Sequence, residues 1–242
     1  MQSPVFRASC MALFISLVLN QAIAQPASEA IEIITVSATP ISIYDAGSSV
    51  SVISRQDILD RNAASVQDLL REIPGFSVSQ QGSHGAVSQV RIRGAEANQV
   101  LVLINGIEVN DLAQGSEFDF SQISTNDIER IEIVRGPQSA LWGSDAMAGV
   151  IHIITMPNTD RGSFDVSIES GSFSTQRATF SANHGSSRHQ AKFSVDYLDS
   201  DGTNIARSGS EDDGLENLTL SLAGRYAASD NFSLAYTFRH TD

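Results

Sequence analysis

The sequence predicts an α+β domain with a small mixed sheet and short helices, followed by a series of antiparallel β-strands. From about residue 31 to Pro157, short apolar segments alternate with segments that begin on a capping serine. Beyond Pro157, apolar and polar residues alternate with a period of two, and only turn-forming residues separate the segments. That period is typical of strands with one apolar face. We therefore expect a domain at residues 41–157 and further strands at residues 158–242.

The start of the chain has the pattern of a secretory signal peptide. The basic residue Arg7 precedes an apolar run at residues 11–19, and small residues precede Gln25. This pattern predicts a signal peptide at residues 1–24, an extension at residues 25–40 and a mature protein outside the cytoplasm. The single cysteine, Cys10, would be removed, so neither disulfides nor thiolate metal sites are expected.

Charge and hydropathy narrow the classes of function. The chain carries 28 acidic and 15 basic residues, a net charge of −13, which disfavours nucleic acid as a partner. Every apolar run after Gln25 is short or interrupted by polar residues, so no later transmembrane helix is predicted. If the protein enters a membrane, it must do so with strands.

Two helix starts are predicted in the first domain. Ser54 and Ser65 each precede an aspartate by three residues, the spacing of a capping box, in which the serine oxygen accepts a free helix amide. The second helix should end before Pro74, because proline disfavours helical geometry in the residue before it.

Strands are predicted in the same domain at residues 89–93 and 100–104. The Asn105-Gly106 pair should join the second of these to residues 107–109, since Asn-Gly is the strongest short signal for a tight hairpin.

A strand–helix–strand unit is predicted at the end of this domain. In residues 128–135, Ile131 and Ile133 should face one side of a strand and their charged neighbours the other. Pro137 suits a first helical position and Gly143 a helix stop, and a strand at 150–156 follows. If the two strands pair in parallel, the unit is a right-handed crossover.

Five alternating segments follow, each with one apolar and one polar face. A soluble antiparallel sandwich shows the same alternation. The signal peptide, aromatic residues near strand ends (Phe173, Tyr197, Tyr226) and unequal loops favour an outer-membrane barrel. The turn at 185–187 is short, whereas the connection at 199–214 is long. The predicted segments contain residues 164–168, 176–183, 192–197, 218–226 and 232–239.

Four segments between residues 32 and 155 carry a family resemblance: EIITVSATP, LLREIPGFSV, VRIRGAEANQVLVLINGIEVND and IERIEIVRGPQSALWGSDAMAGVIHIIT, in that order. Together they resemble the N-terminal part of TonB-dependent outer-membrane receptors. The later strands, including VDYLDSDGTNIARSGSEDDGLENLTLSLAGRYA, resemble more loosely the first strands of vitamin B12 (cobalamin) receptors.

The resemblance implies a plug domain seated in a barrel of about 22 strands, which imports a scarce ligand with energy from the inner membrane. About five strands cannot close around a plug. We therefore expect an incomplete barrel in the outer membrane, from a fragment or a truncated product. Two residues depart from the family pattern: Asn105 stands where Asp is usual, and His152 where Asn is usual. Asn-Gly serves the same turn, and a lone histidine in a strand is expected to be a core residue.

The resemblance also implies a TonB box near the chain start, displaced into the periplasm and gripped by the energy-transducing protein TonB. The segment is apolar and β-branched, as strand addition requires, and Pro40 should stop the pairing from running into the plug. The expected partner-binding residues are Glu32, Ile33, Ile34, Thr35, Val36, Ser37 and Ala38.

Charged residues of the plug form a second candidate set. In a polar barrel lumen they can pair across the contact between plug and wall and act as a latch, where breaking one pair is costly. Ordinary pairing inside the plug is the alternative. The set comprises Arg91, Arg93, Glu129, Arg130, Glu132 and Arg135.

Two polar, glycine-bearing loops, residues 80–88 and 111–117, are expected to face the ligand. Their candidate contacts are Gln80, Gln81, Ser83, His84, Asp111 and Gln114. In the connection at 199–214, acidic side chains are dense enough to suggest calcium, which prefers oxygen ligands. The resemblance to B12 receptors points to Asn204, Glu211 and Asp213, although a solvated acidic loop is the simpler interpretation.

The function expected is energised import of a small-molecule ligand, cobalamin first, with a siderophore or haem as alternatives. A truncated, non-transporting secreted plug domain is a further alternative. No catalytic residues are expected, because Ser144 in WGSDA lacks the G-x-S-x-G elbow of a nucleophile. No cofactor is required by this function.

Overall fold

The computed structural model describes residues 33–34, 41–42, 47–83, 85–156, 162–205, 208, 212–229 and 232–242. The predicted signal peptide lies outside these residues, as do Glu32, residues 35–40, His84 and Glu211. Residues 33–242 form one compact unit. Within it, we call residues 47–156 the N-terminal domain and residues 163–241 the C-terminal sheet.

The N-terminal domain contains short strands and helices in alternation. The strands before and within it are β1 (Ile33–Ile34), β2 (Ile41–Ser42), β3 (Ser49–Ser54), β4 (Phe76–Gln80), β5 (Ser88–Ile92), β6 (Val100–Ile104), β7 (Ile107–Glu108), β8 (Arg130–Arg135) and β9 (Gly149–Ile154). The helices are α1 (Arg55–Arg61), α2 (Val66–Arg71) and α3 (Ser139–Trp142), with short 3-10 turns between elements.

A five-stranded mixed sheet in the order β3-β8-β9-β6-β7 forms the centre of this domain, and β4 and β5 form a separate antiparallel pair. The predicted mixed sheet is confirmed, but the conditional crossover between β8 and β9 is wrong. These two strands pair antiparallel, with Ile131 opposite Ile153, and the only parallel pair in the described sheet is β6 with β9. The reason lies in the connection, where the Gly136 amide donates to Ala148 O at 2.9 Å and turns the chain straight back.

The first predicted capping box is present at α1. The Ser54 hydroxyl oxygen accepts the Asp57 amide at 3.2 Å, and the Asp57 carboxylate accepts the Ser54 amide at 2.9 Å. The Ser54 hydroxyl also donates to Asp57 Oδ2 at 2.6 Å, and this bond, together with that from the Ser54 amide, lowers the pKa of the Asp57 carboxyl. Ser65 precedes α2 but makes no cap bond to the helix backbone and donates instead to Asp68 Oδ2 at 2.7 Å.

The Asn105-Gly106 hairpin is also confirmed. Ile104 pairs with Ile107, and both turn residues have positive φ, 51° and 85°, as a type I′ turn requires. The Asn105 carboxamide also binds Thr155 twice, at 2.9 and 3.0 Å.

The expected helix start at Pro137 is wrong. The helix begins at Ser139 with Gln138 as its N-cap, and it ends, as predicted, at Gly143. The Gln138 amide donates to Ala146 O at 2.8 Å. This bond closes the loop that contains the helix, and the helix begins one residue after the donor.

Apolar residues fill both faces of the central sheet. Ile131 and Ile133 belong to the larger core, together with Leu69 and Leu70 of α2. A smaller cluster on the other face includes Leu101, Val134 and Val150, with Trp142 packed against it. The helices α1 and α2 and the β4–β5 pair therefore cover one face, and the loop around α3 covers the other.

The C-terminal sheet contains five antiparallel strands in chain order, which confirms the five predicted segments. They are β10 (Ser163–Ser170), β11 (Gln176–Gly185), β12 (His189–Thr203), β13 (Asp213–Ser229) and β14 (Phe232–Thr241). Two strands run into the connection predicted at 199–214, so that the residues between β12 and β13 are 204–212. The expected domain boundary falls in residues 157–161, outside the described residues.

The two faces of the C-terminal sheet are reversed relative to a soluble sandwich. Many of its apolar side chains are exposed on the face away from the N-terminal domain: Phe164 is 75% exposed and Ile168 83% exposed, whereas Leu215 points toward the domain. Its polar side chains, including Arg177 and Asp196, are buried against the N-terminal domain. A contiguous exposed apolar face on a soluble protein is unfavourable. This orientation favours the membrane-strand interpretation over the sandwich.

Among the described residues, no helix has the length and hydropathy needed to cross a membrane.

Candidate functional site

The two predicted ligand-facing loops lie side by side in the structure. The Ser88 amide, at the end of the first loop, donates to Asp119 Oδ1 at 2.9 Å, and the Gln89 carboxamide donates to the Glu117 carboxylate. Residues far apart in sequence are thus brought to one surface. The prediction that loops 80–88 and 111–117 act together has a geometric basis, although their role in binding stays a prediction.

Within these loops, two of the six candidate side chains, Gln80 and Asp111, bond to the loop backbone. Gln80 donates to Ser83 O at 2.5 Å. Asp111 accepts the Ala113 amide at 2.8 Å and begins the 3-10 turn that contains Gln114. Gln81 and Gln114 are exposed. The loops are therefore shaped by their own polar groups and leave exposed amides for a ligand.

The first loop contacts the end of the C-terminal sheet that carries the long connection. A Cβ atom placed on Gly85 would lie 2.8 Å from Leu215 Cδ1, and one placed on Gly82 would lie 3.8 Å from Ile205 Cδ1. A cavity of about 420 Å³ lies beside Ser83 and the ends of β10, β11 and β12. The loop thus faces the side of the sheet where the long connection lies.

The predicted charged set bonds mainly inside the N-terminal domain. Arg91 donates to Ser79 Oγ at 3.0 Å, Arg130 pairs with Glu132 at 2.8 Å, and Arg135 donates to Pro74 O at 2.9 Å. Arg93 is exposed with a φ of 53°, and the Glu129 amide donates to Ile154 O. In the described residues these three arginines bond within the domain, and the latch role stays a prediction.

Another group of residues joins the domain to the sheet. Arg177 of β11 pairs with Asp196 of β12 at 2.9 Å, with side chains only 6% and 10% exposed. Asp196 Oδ2 accepts from Ser124 Oγ at 2.9 Å and from Asn126 Nδ2 at 2.7 Å, and Arg177 donates to Ala64 O at 3.2 Å and to the Ser124 hydroxyl. We call Ser124, Asn126, Arg177 and Asp196 the interdomain clamp.

Asp127 makes a second connection beside the clamp. Its Oδ2 accepts from Arg239 at 3.2 Å and from Ser221 at 2.9 Å, and Lys192 donates to its carbonyl oxygen at 2.8 Å. Three strands of the sheet thus converge on one residue, in addition to the clamp. The short segment 124–127 carries both connections.

Sequence reasoning missed this segment. Ser124, Asn126 and Asp127 lie in a polar stretch without periodicity, which looks like an ordinary loop. The sequence signal for this contact lay in the later strands. Arg177 and Asp196 occupy the polar face of strands predicted to line a plug, where buried charges need partners.

The predicted calcium ligands are only partly described. The Asp213 carboxylate accepts the Ile205 amide at 3.0 Å, and Asn204 follows the end of β12. In the part of the chain that the structure describes, no cluster of three or more acidic or histidine side chains is suited to a metal. Glu211 lies outside that part, so calcium binding stays a prediction.

His152 lies in the core of the N-terminal domain, as expected for a lone histidine in a strand. It stands opposite Glu132 in the β8–β9 register and is 6% exposed. Burial lowers the pKa of His152 to about 4, although the Glu132 carboxylate opposes this shift. The imidazole is therefore neutral at physiological pH.

The part of the predicted TonB box that the structure describes is extended. Ile33 and Ile34 form β1 and pair antiparallel with β2, Ile34 opposite Ile41. Two residues of pairing make a weak ladder, and an isolated two-stranded hairpin is marginally stable in water. Within the described residues of this segment, strand geometry is thus adopted and pairs with β2.

Comparison with protein families gives a match over residues 42–150 to the TonB-dependent Receptor Plug Domain. The vitamin B12 transporter of Vibrio vulnificus (strain CMCP6) is 43% identical to this chain over 133 residues, which is 55% of this chain and 22% of the transporter. The chain therefore spans well under a third of that relative.

Solved structures give the same fold at low identity. The siderophore receptor PirA from Acinetobacter baumannii aligns with a TM-score of 0.62 and 23% identity, over 79% of this chain and 31% of the receptor. The ferripyoverdine receptor of the outer membrane of Pseudomonas aeruginosa aligns with a TM-score of 0.71 and 15% identity, over 87% of this chain and 27% of the receptor. These likenesses show the fold of a domain joined to barrel strands.

Proposed function

We propose that this chain, which carries a TonB-dependent receptor plug domain at residues 42–150, is the N-terminal part of a receptor that imports cobalamin. The receptors it resembles lie in the outer membrane, and so does this protein. One observation carries the ligand assignment: the 43% identity to a vitamin B12 transporter over 133 residues. The exposed apolar face of the C-terminal sheet supports insertion among lipids.

A ferric siderophore is the second candidate ligand, favoured by the fold shared with siderophore receptors. Haem stays an alternative from the sequence alone. Loops 80–88 and 111–117 would meet any of these ligands, since they lie together and the first contacts residues that flank the long connection. Equilibrium binding of cyanocobalamin and of a ferric siderophore to the full-length receptor distinguishes them. Tight binding of the siderophore alone would overturn the cobalamin assignment.

Energy would reach the receptor through strand addition by TonB to Glu32–Ala38. The extended geometry of Ile33–Ile34 supports this proposal, because strand addition requires an extended segment. The TonB box would then face the periplasm, and pulling on it would be transmitted to the plug.

The substitution Ile34→Pro tests this role. It removes a backbone amide and breaks strand pairing, so energised uptake should fall to background while cobalamin affinity stays unchanged. Ser28→Pro, ahead of the segment, is the matched control and should keep uptake. Loss of ligand binding in Ile34→Pro would instead place the segment in the plug core.

Two further proposals concern calcium and transport competence. Calcium in the connection at 199–214 should reduce hydrogen exchange there. A calcium titration that leaves the exchange unchanged would contradict the calcium site.

A non-transporting, secreted plug domain is the alternative to a receptor. Cell fractionation separates these, because the receptor is recovered in the outer membrane and the secreted domain in the soluble fraction.

A further inference from the structure

The contact between Gly85 and Leu215 requires a glycine. Gly85 has a φ of +87°, and a Cβ atom there would lie 2.8 and 2.9 Å from the two terminal carbons of Leu215. Real Cβ atoms essentially never approach other heavy atoms so closely. The leucine side chain therefore occupies the space that any other residue at position 85 would need.

Leu215 also borders the interdomain clamp. A cavity of about 160 Å³ is lined by Gly85 and Leu215 together with Ser124, Arg177 and Asp196. Leu215 is paired with Ser200 on β12, the strand that also carries Asp196. Leu215 thus lines the same cavity as the clamp, and its backbone pairs with the neighbouring strand β12, which carries Asp196.

The loop on the other side of Leu215 connects β4 to β5. Its backbone bonds given by the structure are Gln81 N to Val87 O at 3.0 Å and Ala86 N to Ser83 O at 3.1 Å. Loops with few backbone bonds and exposed side chains open at low free energy. The described part of the loop is therefore expected to open at lower free energy than the buried clamp.

We propose that Leu215 is a positioning residue that couples the ligand-facing loop 80–88 to the interdomain clamp, so that displacement of the loop loosens the bonds between Ser124 and Asp196. The role of this coupling in transport rests on the proposed function. The coupling itself is a property of the chain without ligand, and it can be tested without knowing the ligand.

Hydrogen exchange measured by mass spectrometry on the chain in detergent micelles tests the coupling. Leu215→Ala removes the contact, so exchange of the amides at 124–127 should rise about tenfold, in addition to exchange at 81–87. Gly85→Ala displaces Leu215 and should produce the same rise. Leu215→Met should restore slow exchange, because it refills the space.

The matched control is Leu218→Ala, an outward-facing leucine of the same strand that is 39% exposed. It should leave exchange at 124–127 within about twofold of the wild type, since its side chain does not contact the loop. A rise at 81–87 alone in both Leu215→Ala and Gly85→Ala would overturn the proposal. Should Leu215→Ala fail to fold, Gly85→Ala and Leu215→Met still decide it.

A second experiment addresses transport. Cyanocobalamin added to the full-length receptor should change exchange at 124–127, and Leu215→Ala should remove this change while keeping ligand affinity within about threefold. An unaltered response in Leu215→Ala would contradict the coupling. Absence of cyanocobalamin binding in the wild type would overturn the proposed ligand and leave the ligand-free test intact.

Discussion

Breaking the interdomain clamp at Asp196 should destabilise the N-terminal domain strongly. Asp196→Ala removes the counter-ion of Arg177, whose side chain is 6% exposed, and leaves Ser124 and Asn126 without their shared acceptor. Removing one partner of a buried ion pair costs about 3–5 kcal/mol. With a urea m-value of about 2 kcal/mol per molar, the midpoint of unfolding should fall by roughly 2 M.

The assay uses the single tryptophan. Trp142 lies in the N-terminal domain and packs against its smaller core, so its fluorescence during urea titration in detergent reports the unfolding of that domain alone. Glu216→Ala is the matched control, because it removes an exposed carboxylate from the same sheet. It should change the unfolding free energy by less than about 0.5 kcal/mol.

A double substitution isolates the ion pair from the rest of the clamp. Replacing Arg177 with Met and Asp196 with Leu removes both charges, so the cost of an unpaired buried charge disappears. The double variant should therefore be more stable than Asp196→Ala by about 1 kcal/mol or more. A midpoint for Asp196→Ala equal to that of Glu216→Ala would refute the reasoning.

Two further predictions concern the N-terminal domain. The folded pKa of His152 is about 4, below its ordinary 6.5, so stability present above pH 6.5 should be lost as pH falls toward 4, by about 3 kcal/mol. His152→Asn should lack this component in urea titrations at each pH, and equal pH dependence in both would contradict the shift. Ser54→Ala should cost about 1 kcal/mol, measured in the same way. Ser65→Ala should cost less, since Ser65 makes no cap bond to the backbone; an equal loss would exclude capping as the cause.

The sequence predicted the features that local chemistry determines. The capping box at Ser54 and the hairpin at Asn105 depend on residues within a few positions of each other, and both were found where expected. The alternation in the second half likewise predicted all five strands. β3 and β4 were not predicted, because both are short and serine-rich.

Features that depend on distant residues were not predictable in the same way. The direction of β9 relative to β8 depends on how the loop between Gly136 and Ala148 closes, which no periodicity reveals. The clamp joins Ser124 to a residue 72 positions away. Two arginines of the predicted charged set, Arg91 and Arg135, instead donate hydrogen bonds to Ser79 and Pro74 of their own domain.

The reversed faces of the C-terminal sheet give the two halves of the chain opposite solvent requirements. The N-terminal domain buries its own isoleucines, whereas the sheet presents Phe164, Ile168 and Phe238 to its surroundings. In water, that apolar surface is exposed to self-association and to proteases, because water is the wrong solvent for it. The later strands, and not the domain that precedes them, are therefore the part of the chain that has to be shielded from water.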